Sequence, residues 1–405
     1  LGEIHVATTI ALLGAFDTKG NEYAFLQQCI ERNGLRTLLI DTGVLDEPVV
    51  RPDISSAEVA AAAGHDLSAL RARRDRGEAV AAMGAGAEKL LPELYRQGRF
   101  AGVIALGGTG GTSLACRAMR ALPIGVPKVM VSTVAGSDVS AYVGSKDIVM
   151  IPSIVDISGI NSISRTVLAR AAGAVCGMAS AEVPTGDDKP LIAASMFGNT
   201  TKAVEAAKAI MEQQGYEVVV FHCTGTGGKT MESLIEAGMI SGVLDITTTE
   251  WADQLVGGVF DAGPSRLEAA AKAGVPAIVT PGCLDMVNFG APETVPREFA
   301  GRVFYQHNPN VTLMRTTPEE CAKLGEIIAG KLNESRGPVT VLIPLRGISV
   351  ISAEGQPFHS PEADEALFSA LKRHLNSDIP IIEIDCNIND PAFSERCAEE
   401  LLRRL

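Results

Sequence analysis

Ala101-Gly-Val-Ile-Ala-Leu-Gly-Gly-Thr-Gly-Gly-Thr112 is an apolar run that breaks into four glycines within six residues, and Ser113-Leu-Ala-Cys-Arg-Ala-Met-Arg120 behind it has a helix-forming composition. An apolar run of strand length, a glycine loop and a helix start make a strand-turn-helix, the local unit of an α/β fold. Bare backbone N–H groups in such a loop, together with the positive end of the helix dipole, can surround an anion, and phosphate is the natural guest. The plainer alternative is a tight turn in a sheet. Four glycines exceed what a turn needs, because each costs conformational entropy on folding.

The rest of the composition fits an enzyme-like α/β chain. Its 405 residues suffice for two or three domains with their own cores. Forty-one glycines and 4% aromatic residues suit many strand-to-helix turns better than a β-sandwich or solenoid. Thirty-five Lys and Arg against 48 Asp and Glu give a net charge of −13, which disfavours a broad nucleic-acid or acidic-membrane surface, so anionic ligands have to be captured locally. The eight cysteines form no C-x-x-C pair and read mostly as small buried hydrophobes of a reducing cytoplasm. No apolar stretch reaches the length of a membrane span.

Along the chain, strand and helix patterns alternate. An apolar run at 4–13, Phe16-Asp-Thr-Lys-Gly20, a helical pattern at 22–33, Gly34 and a second apolar run at 35–40 form a β-α-β unit. Asp17 and Thr18 stand where its N-cap belongs, as caps or as ligand contacts. The basic run Arg71-Ala-Arg-Arg-Asp-Arg76 reads as a solvated face between helices. Asp187-Asp-Lys-Pro190 reads as a linker, placing one lobe at 1–185 and another at 186–405. The second lobe repeats the opening: Phe197 precedes Gly215 by 18 residues, as Phe16 precedes Gly34, with Asn199-Thr-Thr-Lys202 in place of Asp17-Thr-Lys19. The expected architecture is therefore α/β, two Rossmann-like lobes with parallel, doubly wound sheets related by internal duplication, and ligands at the strands' carboxyl ends.

Two sets of residues carry candidate chemistry. Cys223-Thr-Gly-Thr-Gly-Gly-Lys-Thr230 ends like a nucleotide P-loop, but the first glycine of that motif falls on Cys223, so phosphate contact and a plain helix start both remain open. The polar tracts after the second lobe's strands bring Cys283, Asp285, His307 and Arg346 to strand exits. Gathered in one pocket they would supply a thiol, a proton-moving group and an anion clamp; singly, each also reads as a buried or backbone-bonded side chain. No zinc spacing and no nucleophile-elbow motif occurs.

Phe16-Asp-Thr-Lys-Gly20, the 107–113 loop, Ile151-Pro-Ser-Ile-Val-Asp156, Val243-Leu-Asp-Ile-Thr-Thr-Thr-Glu250, Pro281-Gly-Cys-Leu-Asp-Met-Val-Asn-Phe-Gly290, His307-Asn-Pro309 and Leu313-Met-Arg-Thr-Thr317 resemble the family that shares the ATP-binding N-terminal domain of the tomato mosaic virus resistance protein. The resemblance spans essentially the whole chain. It implies two Rossmann-like lobes, nucleotide binding and a homodimer, but no antiviral role, which in the plant concerns a viral partner. Carried over motif by motif, it implies ligand contacts at Thr18, Lys19, Gly107, Gly108, Thr109, Gly110, Gly111, Thr112, Ser113, Gly225, Gly227, Gly228, Lys229 and Thr230. The leading expectation is a cytoplasmic protein that binds ATP with Mg²⁺ in a cleft between the lobes. A metabolic enzyme for a small phosphorylated or carboxylated substrate, and a nucleotide-controlled interaction module, are the other two classes the residues allow.

Overall fold

The computed structural model describes residues 8–184 and 186–405, and the chain divides into two compact units, Leu1–Pro184 and Thr185–Leu405. The start of the expected first strand, at 4–7, lies outside the described residues.

In the N-terminal unit, β1 (Thr9–Gly14), β2 (Arg36–Asp41), β3 (Gly102–Gly107), β4 (Lys128–Ser132) and β5 (Val149–Pro152) form one parallel sheet in the order β2-β1-β3-β4-β5. Its strands are apolar on both faces because helices cover both. Ala11, Leu13, Val103 and Ala105 pack with the helices Arg76–Arg96 and Thr109–Arg120. The alternate residues Ile10, Leu12, Ile104 and Leu106 pack with Gly20–Arg32 and Ser162–Ser180. On the first of these faces Gly86 lets two helices touch, since a Cβ there would lie 1.9 Å from the Val59 carbonyl oxygen.

The C-terminal unit holds β6 (Leu191–Met196), β7 (Glu217–His222), β8 (Gly242–Thr247), β9 (Ala277–Gly282), β10 (Met286–Phe289), β11 (Phe304–Asn308), β12 (Val311–Arg315), β13 (Val339–Pro344) and β14 (Ile381–Ile384). Six of them make a parallel sheet, β14-β13-β9-β8-β6-β7. Counted from each unit's own first strand, both sheets read 2-1-3-4-5, and the second adds a sixth strand at its far edge. The likeness extends to single hydrogen bonds. The Val103 and Val243 amides donate to Pro127 and Pro276 carbonyls, and Ala101 and Ser241 donate to the first residues of their neighbouring strands, Thr9 and Leu191.

Three local differences from the sequence reading have physical causes. The helix expected from Ser113 begins at Thr109, so Gly110 and Gly111 lie in its first turn; that turn packs on the strand end so closely that a Cβ on Gly107 would sit 2.9 Å from the Gly111 Cα. Part of the basic run is helical, within Leu67–Arg73, and Arg76 opens the next helix. Segments read as polar strand exits pair into a small antiparallel sheet, β10-β12-β11, inserted between β9 and β13. Among the described residues no helix is long and apolar enough to cross a membrane.

Inside the C-terminal unit one guanidinium is almost wholly enclosed, with the Arg266 side chain 1% exposed. Its two Nη atoms donate to the Asp245 carboxylate, each at 2.6 Å, its Nε donates to Glu250 at 2.8 Å, and Nη1 also donates to Glu232 at 3.1 Å. Burial alone would disfavour the cation, but the carboxylates of Asp245, Glu250 and Glu232 outweigh it and hold Arg266 charged. Three carboxylates exceed one cation, and N–H and O–H donors absorb the excess. Ser195 Oγ donates to Asp245, and the amides of Leu267 and Ala269 donate to Glu232. The short helix Glu268–Ala273 begins directly after Leu267, which, at φ 76°, turns its amide onto Glu232. Replacing Arg266 with Ala strands these carboxylates without a cation. The C-terminal unit should lose about 3–5 kcal/mol in urea unfolding, and a loss under about 1 kcal/mol would mean that the network does not hold the unit together.

Candidate functional site

In a parallel sheet of this order, the chain leaves β1 toward one face and β3 toward the other, which opens a crevice at their carboxyl ends. The contacts place that reversal here: Gly20–Arg32 packs on one face of the N-terminal sheet and Thr109–Arg120 on the opposite one. Pairing of β1 with β3 ends at Leu13 and Ala105. Immediately beyond, the buried Tyr23 hydroxyl donates to the Leu13 carbonyl at 2.5 Å and accepts from the Leu106 amide at 3.0 Å, forming the floor of the crevice. Burial pushes this phenol's pKa up, so it stays protonated.

At the crevice, Gly108 caps the helix Thr109–Arg120 without any side-chain hydrogen bond, and no acidic residue occupies the first turn. Thr109 and Gly111 are exposed and Gly110 half-buried, so this end of the helix dipole faces solvent. Three of the glycines are not demanded by the fold. A Cβ on Gly108, Gly110 or Gly111 would find its nearest neighbour at 3.7, 3.6 and 3.7 Å, ordinary contact distances, and none of the three has a positive φ. One atom near Gly110 is Arg76 Nη2, 3.8 Å from that Cβ position, and Arg76 makes no ion pair among the described residues.

The remaining candidates of this unit divide. Thr18 is exposed beside the crevice. Lys19 is tied to the segment after β5, its ammonium donating to the Ile157 carbonyl. Ser113 is exposed one turn along the helix. Thr112 is corrected: fully buried, with its Oγ1 2.6 Å from Ser132 Oγ, it fastens the helix to β4 and has no hydroxyl to offer a ligand.

The second glycine loop has the opposite character. The Gly225 and Gly228 amides donate to the carboxylate of Glu250, at 2.8 and 3.1 Å, so a side chain of this chain sits where a phosphate was expected. Each glycine there is sterically required. Added Cβ atoms would meet the Asp261 carbonyl at 2.8 Å from Gly225, the His222 carbonyl at 1.8 Å from Gly227, and Glu250 Oε2 at 2.1 Å from Gly228. Thr230 Oγ1 bonds back to the Thr226 carbonyl, and Lys229 is exposed.

Cys283, Asp285, His307 and Arg346 do not assemble into one pocket. Cys283 is buried among Phe197, Met286, Leu313, Ile351 and Phe358, and burial raises its thiol pKa far from the range of a reactive thiolate. Asp285, also buried, accepts from Ser349 Oγ at 2.7 Å while its Oδ1 has no partner, and its pKa is pushed up to about 6, mainly by burial, with Arg315 and Ser349 pulling it down. His307 lies on β11, exposed. Arg346 is exposed and held by Asp385 through bonds of 2.7 and 2.6 Å. Arg76, Tyr23 and Glu250 were missed as site residues. Arg76 carried a local signal, as part of a basic run closing at a helix start, and Glu250 lay at the end of a tract that carries the family resemblance.

These features define the class: two α/β units of one strand order, one with an open glycine turn and one with a filled turn. Residues 8–184 match the N-terminal domain, and residues 189–405 the C-terminal domain, of the Uncharacterised protein family UPF0261, so the chain belongs to that family. It is 50% identical to a UPF0261 protein of Clostridium tetani over 98% of both chains. It is 39% identical to the ToMV susceptible protein tm-1(GCR26) of Solanum lycopersicum, across 96% of this chain and 55% of that protein. A UDP-N-acetylglucosamine 2-epimerase from Rickettsia bellii aligns with 98% of this chain and 95% of its own, at 11% identity and a TM-score of 0.23, which carries no functional argument.

Two outcomes test this description. Gly110→Ala should leave stability unchanged or raise it by up to about 1 kcal/mol, whereas Gly228→Ala should lower it in the same urea titration; equal losses would remove the distinction between the turns. For Asp285, a folded pKa near 6 against the ordinary 3.8 means the folded state binds the extra proton between those values, so its contribution to stability falls as pH rises. The stability difference between wild type and Asp285→Asn should therefore shift against wild type by at most about 3 kcal/mol from pH 4 to pH 7. A pH-independent difference would show that the carboxyl titrates normally.

Proposed function

We propose that this chain is a nucleotide-binding protein whose N-terminal unit holds the phosphates of ATP on the turn Gly108–Gly111 at the head of the helix Thr109–Arg120. The carrying observation is the convergence at one point of two positive features, a helix N-terminus without a side-chain cap and the Arg76 guanidinium, which has no ion pair among the described residues, where glycines leave room that packing does not use. Anions are favoured at such a point by the dipole, by N–H donors and by the guanidinium together. The family resemblance supports ATP in particular.

Among the described residues no group of three or more His, Cys, Asp or Glu is arranged to hold a metal ion. In this reading Mg²⁺ arrives bound to the nucleotide and keeps most of its ligands as phosphate oxygens and water. The chain's own contributions are to orient the phosphates with N–H groups and to neutralise them with Arg76. The enzyme reading draws no support from Cys283, Asp285, His307 and Arg346, which lie in different settings.

Thermal unfolding with and without MgATP tests the proposal. A ligand at about 100 times its Kd adds roughly 2.7 kcal/mol of stability. Gly110→Val should fold and lose that gain, because its side chain blocks approach to the amides, and Arg76→Gln should weaken affinity about tenfold, or about 1.4 kcal/mol. Unchanged MgATP affinity in Gly110→Val would sink the proposal.

A further inference from the structure

Beyond β4 and β5 lies a cavity of about 460 Å³, lined by Thr133, Pro152, Ser153, Ile154, Val155 and Asp156 among others, a volume within the range of small-molecule sites. It adjoins the glycine turn through Thr133, whose amide donates to the Gly107 carbonyl at 3.3 Å and whose Oγ1 is 3.7 Å from the Cβ position of Gly108. The wall is built firmly. The buried Ser153 donates its amide to the Ser132 carbonyl and its hydroxyl, at 2.6 Å, to the Val155 carbonyl. Lys19 and Glu22 fasten the segment beyond it, at Ile157 and Gly159.

On this wall Ile154 breaks two rules at once. A β-branched residue, it has φ 67°, a left-handed conformation that such side chains strongly disfavour, and its side chain is 72% exposed instead of buried. Nothing in the fold repays that arrangement: a glycine would make the same turn without strain, and an apolar side chain gains nothing in water. Backbone strain of this kind concentrates where a surface is shaped for a ligand. Next to Ile154, the exposed Asp156 spends only Oδ1, on the Ile157 amide at 2.8 Å, leaving the other oxygen to accept.

We propose that this cavity is a nucleoside subsite: Ile154 and Val155 cover the face of a base, and Asp156 accepts hydrogen bonds from ribose hydroxyls. The proposal rests on the reading of Gly108–Gly111 as the phosphate site, with Thr133 at the junction. The chemistry fits a nucleoside, which needs an apolar wall for a flat heterocycle and an acceptor for vicinal hydroxyls, and fits a bare polyphosphate poorly.

Calorimetric titrations of MgATP, adenosine and magnesium tripolyphosphate into wild type, Asp156→Asn and Ile154→Gly separate the two readings. Wild type should bind MgATP at least tenfold more tightly than tripolyphosphate. Both variants should lose about tenfold for MgATP and nothing for tripolyphosphate, and Ile154→Gly should melt no lower than wild type because glycine relieves the strain. If the variants keep wild-type affinity for MgATP, or lose affinity for both ligands equally, the subsite is wrong. If tripolyphosphate fails to bind while adenosine binds and weakens in Asp156→Asn, the subsite stands and the phosphate reading falls. If neither MgATP nor adenosine binds wild type, the inference is overturned.

Discussion

The Arg266 guanidinium imposes the strictest demand in the C-terminal unit. An enclosed cation must be surrounded by acceptors, and every acceptor drawn inward brings its own requirement. Asp245 meets it from β8 with help from Ser195 of β6, which ties neighbouring strands together below their carboxyl ends. Glu232 meets it while accepting the amides at the start of a short helix. Glu250 meets it with one side of its carboxylate and spends the other on the amides of Gly225 and Gly228. The filled glycine turn is thus a by-product of satisfying one charge.

The N-terminal unit has the same strand order and the same entry hydrogen bonds, but its enclosed cation, Lys128, stands at the start of β4, where Asp147 and the carbonyls of Pro123 and Val126 accept from it, away from the strands' carboxyl ends. Its switch point is closed below by a neutral phenol, Tyr23, and is left open above. Related backbones therefore end in opposite electrostatics at their strand exits. In one, internal carboxylates meet the donors; in the other, the helix end and Arg76 face solvent without a counter-charge.

The architecture was legible because its signals are periodic and local. Glycine punctuation, apolar runs and the repeated 18-residue spacing sit within single β-α-β units, and the structure has two parallel sheets where the alternation required them. The sites were legible only in part. The motif Gly-Thr-Gly-Gly occurs in both units, yet its meaning depends on what lies above it, and Glu250 is 22 to 25 positions from the amides it occupies. Cys283 and Arg346 both follow parallel strands, but the segment after β9 folds inward to cover its cysteine while the segment after β13 leaves its arginine in water. The rule that strand exits converge gives proximity along an edge and says nothing about burial.

A carboxylate built into the chain is a ligand at fixed and very high effective concentration, which no dissolved anion can outcompete at ordinary levels. The Glu250-filled turn consequently behaves as a permanently saturated receptor: its half of the molecule has the same occupancy in starved and replete surroundings. The open turn of the other half has no such tether; under the nucleotide reading proposed above, its stability would follow the ligand's concentration. One polypeptide thereby carries the same glycine turn in two states, one filled by its own carboxylate and one left open.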